Sequence, residues 1–267
     1  MFKNWKFLIG LAFVVLFLAS CSEYQKLLKS SDFELKYKRA KEYYEKKDYY
    51  KASALYEELI NIYKGTARGE EVYYYYAYCQ YALQEYIMAA YHFKFFAKNF
   101  PNSKHVEEAE YLSSYCIFLE SPEYSLDQMY TYKAIESFQL YLDKYPSSSR
   151  IDSCNKIIDV LRAKLEKKAY NASTLYYKLG DYKAAIIALK NMLKEYPDSQ
   201  YREEIMYLIV KSCYLLAENS IEKKKKERYQ NTLNEYYVLI DEYPTSKYIK
   251  EAESMFTSSS KKLKNYQ

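Results

Sequence analysis

The chain has 267 residues, 49% of them hydrophobic, with only 4 glycines and 5 prolines, which favours an ordered, helix-dominated protein. No run alternates apolar and polar residues with period two, which argues against a sheet. The formal charge is +5, but Lys3 and Lys6 lie in a segment expected to be removed. The remainder holds 38 basic and 35 acidic residues, so nucleic acid has no electrostatic footprint to bind.

Residues 1–20 read as a signal peptide. MFKNWK gives a positive start, FLIGLAFVVLFL an apolar run too short for a comfortable membrane span, and Leu18-Ala19-Ser20 leads into Cys21. This resembles the bacterial lipoprotein box, in which the cysteine sulfur carries diacylglycerol; the alternative is an uncleaved anchor helix ending in cysteine. Several acyl chains on Cys21 make the anchoring stable, each buried methylene contributing about 0.8 kcal/mol. Ser22 stands where aspartate would signal inner-membrane retention, which favours the outer membrane. Residues 21–32 then form a short lipidated tether.

From residue 33 a helical rhythm takes over. Ala52 is followed by Tyr56, Ala89 by Phe93 and Pro101, Ala134 by Phe138 and Pro146, Ala185 by Leu189 and Pro197, and Thr232 by Tyr236 and Pro244. A small residue lets two helices of a hairpin cross closely, and the larger one a turn later fills the groove beside the crossing. Ala40 and Ala77 take the matching small position in first helices. The proline-closed unit is that of a tetratricopeptide repeat, TPR. Each proline opens a polar turn (PNS, PSS, PDS, PTS) that offers a serine as helix N-cap, and Glu107, Glu203 and Glu251 fall near the positive end of the next helix. The expected fold is all-α, a right-handed TPR superhelix of five helix hairpins with a C-terminal capping helix.

Repeats one and two occupy 33–101. First-helix residues off the core face would line the concave wall. They are Tyr37, Lys38, Lys41 and Tyr44, then Tyr74, Tyr75, Tyr78 and Tyr81. A phenol wall with amines at one end suits extended peptides rich in aromatic side chains; the plainer reading is general tyrosine richness, 37 in the chain. Repeat three, 102–148, carries the insertion SPEYSLDQMYTY, in which Pro122 ends one helix and Asp127 can cap the next. Such an excursion is either a specific contact or a tolerated loop. The span 149–267 holds repeats four and five. Repeat four starts with a long helix whose solvent side bears Arg162, Lys164, Lys167 and Lys168, read first as a solvated face. In repeat five, ENSIEKKKKERYQ is an interhelix loop or helix end, and KYIKEAESMFTSSSKKLKNY closes the chain as a polar cap.

No catalytic constellation is readable. His92 and His105 lack partners at metal-ligand spacing, and there is no phosphate loop, nucleophile elbow or repeated Cys-x-x-Cys. Neither metal nor dissociable cofactor is expected, only the lipid on Cys21. Cys79, Cys116, Cys154 and Cys213 fall singly in helices and favour buried, unpaired thiols over disulfides.

The lipobox, short tether and five repeats resemble the BamD family, lipoproteins of outer-membrane β-barrel assembly. The more specific match runs from Leu161 to Ser199: LRAKLEKK, Tyr170, Tyr176-Tyr177, Gly180 and LKEYPDSQ, with YKAIESFQLYLDKYPSSS similar in repeat three. Repeat one departs from the pattern, with Lys64-Gly65 in place of its proline. The resemblance implies a non-enzymatic scaffold facing the periplasm. Its partners would be a barrel insertase with POTRA domains, docked by the C-terminal repeats, and unfolded outer-membrane clients whose aromatic-ended targeting signals meet the N-terminal repeats. A docking arginine of the family falls on Lys164, which loses bidentate carboxylate geometry; Arg162 and Lys168 are its companions by proximity. The alternatives are another periplasmic TPR lipoprotein adaptor, for pilus or cell-envelope assembly, or a glycan-capture lipoprotein.

Overall fold

The computed structural model describes residues 23–266. The segment read as a signal peptide and Cys21, read as the lipid attachment site, lie outside the described residues. Helices account for almost all of the rest, and among the described residues there is no strand. They are α1 (Phe33–Glu45), α2 (Tyr49–Ile62), α3 (Ala67–Ala82), α4 (Tyr86–Asn99), α5 (Val106–Leu119), α6 (Met129–Lys144), α7 (Ile151–Lys178), α8 (Tyr182–Glu195), α9 (Arg202–Glu218), α10 (Glu222–Glu242) and α11 (Ile249–Leu263), followed by a 3-10 turn, Lys264–Tyr266. Two compact units divide them. The first runs to Pro122 and resumes over Gln128–Ile158; the second is Glu123–Asp127 and Asp159 onward.

Within the first unit each of α1 to α5 packs on its successor, and within the second α8 to α10 do the same. The chain is therefore a succession of TPR-like hairpins, and the reason lies in seven positions. Ala40, Ala52, Ala77, Ala89, Ala134, Ala185 and Thr232 are all 0% exposed. A larger side chain at any of them would push two backbones apart. Phe93, Phe138 and Leu189, one turn on, are equally buried, each worth about 2 kcal/mol of apolar burial.

The turn inside a hairpin needs one left-handed residue, five positions before the small one of the second helix. Gly180 supplies it without strain at φ 77°, whereas Lys47 (φ 61°) and Gln84 (φ 64°) hold the same conformation against their Cβ atoms. Between repeats one and two, Gly69 comes so close to the Tyr63 carbonyl that a Cβ would stand 2.2 Å from its oxygen.

Between hairpins the serines act two residues before the N-cap position. Ser103, Ser148, Ser199 and Ser246 accept the amide two residues on (3.0, 3.2, 3.1 and 3.1 Å), shaping the turn, while the residues before α5, α9 and α11 are His105, Tyr201 and Tyr248, with no side-chain cap. Glu107, Glu203 and Glu251 do sit in first turns, at the positive end of the helix dipole. Gln128, not Asp127, precedes α6; it is buried, and the Thr131 hydroxyl donates to its side-chain Oε1 at 2.7 Å. The lysine run of repeat five is helical, the opening turns of α10.

The stretch read as a tether is partly folded. Residues 23–29 are helical, with Tyr24 and Leu27 each 8% exposed against repeat one. Lys36, itself 1% exposed, fastens them by donating to the Leu28 carbonyl at 2.9 Å and to both carboxylate oxygens of Glu58.

Candidate functional site

The tyrosines of repeats one and two come together as a ladder of rings. Tyr44 lies 4.7 Å from Tyr75, Tyr75 5.9 Å from Tyr74, Tyr74 5.3 Å from Tyr78, and Tyr78 6.2 Å from Tyr81. The ladder is set mostly between helices. Tyr74 is buried, stacked 4.2 Å from the His105 ring, and the others are half-buried. Two of the hydroxyls are engaged as well. Tyr74 and Tyr78 both donate to Glu108, at 2.7 and 3.2 Å. Burial first, then Glu108, pushes the Tyr78 phenol up to about 12.

Tyr37 stands apart from that ladder. It donates to Glu71 at 2.6 Å, beside the Lys41 ammonium, which gives Glu71 2.8 Å, and the Arg68 guanidinium lies 4.8 Å from its ring. Burial, then the Glu71 carboxylate, raises its hydroxyl to about 12. Tyr37, exposed Lys38 and Lys41 border an open depression of about 630 Å³ that Leu35, Glu34, Glu45 and Arg68 also line. An aromatic wall with cations at its lip is thus accessible in repeat one, while the repeat-two tyrosines chiefly pack.

What the linear reading missed is the seam between repeats. Tyr37 to Glu71, Tyr74 to Glu108 and Tyr170 to Glu204 are the same bond at the same separation, 34 residues. That separation was there to be found, as tyrosine in one first helix and glutamate at the start of the next.

On α7, Arg162 is exposed and makes no ion pair among the described residues, whereas its companions are engaged by their neighbours. The Lys167 ammonium lies 4.5 Å from the Tyr124 ring, and Lys168 donates to the Leu126 carbonyl. Burial lowers the Lys164 ammonium, against a partial rise from nearby Glu123. The middle of the repeat-three insertion, residues 123–127, therefore straps the middle of α7, and the face is not simply solvated. Further along α7, Glu166 accepts from the Ser199 hydroxyl at 2.5 Å and from the Gln200 amide at 3.0 Å, tying the next turn down.

Cys79, Cys116, Cys154 and Cys213 are buried and free, and burial pushes the Cys79, Cys116 and Cys213 thiols up to about 12. Such thiols pack as small apolar groups and are poor nucleophiles. Among the described residues no group of His, Cys, Asp and Glu could hold a metal ion, and no helix is long and apolar enough to cross a membrane.

No curated protein matches the chain. A family model does, the one described as YfiO, outer membrane lipoprotein, over residues 30–228 and again over 176–267. Those matches take in every helix from α1 to α11, hairpins and cap alike, and the chain belongs to the YfiO family of outer membrane lipoproteins.

Proposed function

We propose that this lipoprotein is a non-enzymatic scaffold of outer-membrane β-barrel assembly, held at the membrane by lipid on Cys21 and facing the periplasm. Residues 33–101 receive the targeting signals of unfolded barrel clients, and the 149–267 half docks onto a POTRA-bearing barrel insertase. The observation that supports the first role best is the depression of repeat one, where Tyr37 forms an aromatic wall and Lys38 stands exposed at the lip. An aromatic-ended peptide could lay its ring on Tyr37 and its terminal carboxylate towards Lys38. Arg162 supports the second role, an exposed guanidinium midway along α7 that suits a carboxylate of the partner. Tyr74, buried, serves this reading by fixing the angle between the first two repeats, and the half-buried Tyr44, Tyr75, Tyr78 and Tyr81 would extend the wall. Binding is meant to be weak and reversible, since a client must be released to the insertase.

Fluorescence anisotropy with a labelled peptide ending in phenylalanine tests the client site. Tyr37→Ala with Lys38→Glu is expected to weaken binding at least tenfold, and amidating the peptide's terminus should do much the same. Equal binding by wild type, double variant and amidated peptide would remove repeat one as the receiver.

A further inference from the structure

The folded start of the chain fixes more than a tether would. Tyr24 donates to the Lys51 carbonyl at 3.4 Å, and its ring lies 5.7 Å from Tyr43, in the last turn of α1. Leu28, at the other end of the 23–29 helix, is held by Lys36 in the first turns of α1. The segment therefore runs back along α1, and the chain enters the fold beside the α1–α2 turn. Only Ser22 separates Cys21 from Glu23, a reach of about 7 Å.

We propose that the edge of the first two repeats that carries their intra-hairpin turns lies flat against the bilayer surface, and that the docked 23–29 helix is a stiff mount. The proposal rests on lipidation of Cys21. An acyl-bearing cysteine this close to a folded helix leaves the α1–α2 turn no room to stand off from the headgroups. The side chains there match that contact. Lys46 and Lys47 are exposed and make no ion pair among the described residues, and Tyr50 is 73% exposed at the start of α2. The α3–α4 turn shares this edge, because Gln80 in the last turn of α3 donates to Ser53, early in the second turn of α2, at 3.1 Å. Just beyond it Ile87 and Met88 are 54% and 47% exposed. Two lysines for anionic headgroups, a tyrosine for the interface and two apolar side chains are what a surface resting on lipid requires.

The chain's one tryptophan, Trp5, lies in the segment expected to be removed, so a single introduced tryptophan reports on its own position. Tyr50→Trp and Ile62→Trp probe opposite ends of α2. Each lipidated full-length variant is reconstituted in vesicles of phosphatidylethanolamine and phosphatidylglycerol, some lipids brominated high on the acyl chain. Quenching for Tyr50→Trp should exceed that for Ile62→Trp several-fold, and Lys46→Glu with Lys47→Glu should reduce it. Adding Lys36→Met and Leu27→Ser, which release the mount, should erase the difference while the protein still floats with the vesicles. Equal quenching at both ends in floating protein would overturn the proposal, as would a difference that survives release of the mount. Failure to float at all would overturn the lipid-anchor reading and the proposal with it.

Discussion

Lys36 shows how one residue can settle the path of a segment. Its ammonium satisfies the Leu28 carbonyl and Glu58 together, and Glu58 remains partly in solvent with 39% of its side chain exposed. Lys36→Met keeps the apolar stem but strands both acceptors, which should cost about 2 kcal/mol in urea unfolding. Hydrogen exchange should quicken first at residues 23–29. At Gln84 the expected effect has the opposite sign. Gln84→Gly relieves a left-handed residue and should stabilise the first unit by about 1 kcal/mol, visible as a higher urea midpoint. The buried thiols make stability depend on alkaline pH. Burial raises Cys79, Cys116 and Cys213 from 9.0 to about 12, so the unfolded chain ionises first. Their contribution is whole below about pH 9 and is lost as pH rises towards 12. The urea midpoint should hold level around neutral pH and fall above about pH 9, and native protein should resist alkylation where unfolded protein reacts.

Elements are joined here by short polar devices as much as by apolar faces. Ser199 closes the turn into α9 and reaches back to Glu166 on α7, so Ser199→Ala should destabilise the second unit by about 1–2 kcal/mol, measured by urea unfolding. The strap of residues 123–127 decides how much of α7 is open to a partner. Glu123→Gln with Tyr124→Ser should speed chemical acetylation of Lys164, Lys167 and Lys168 while leaving Lys178 unchanged, as read by mass spectrometry. These elements also mark how far the amino-acid sequence could be read. The small residue and the bulky one after it answer a steric demand within a single hairpin, so seven such positions and all eleven helices follow from local pattern. The Tyr–Glu seam links one repeat to the next, and a list of tyrosines cannot say which face each one turns to a neighbouring helix. The strap has no periodicity at all; its place on α7 depends on a cation meeting a phenol ring, which only the folded chain brings together. The docked 23–29 helix was hidden for a similar reason, since its two anchoring side chains are too few to make a rhythm.

At the scale of the whole molecule, a near-neutral chain built of hairpins offers extended surfaces. The proposed scaffold role then depends on which proteins those surfaces hold. Membership of an outer membrane lipoprotein family places it at that membrane, and the exposed guanidinium of Arg162 and the Tyr37 depression are the features through which it would act as a scaffold there. The most direct test is affinity purification of the tagged, lipidated protein from solubilised envelopes, with co-purifying proteins identified and quantified by mass spectrometry. A stoichiometric barrel protein with POTRA domains is expected, reduced at least tenfold by Arg162→Glu in a variant whose urea midpoint is unchanged. Recovery of pilus, cell-wall or glycan-uptake proteins in its place would contradict the assembly role.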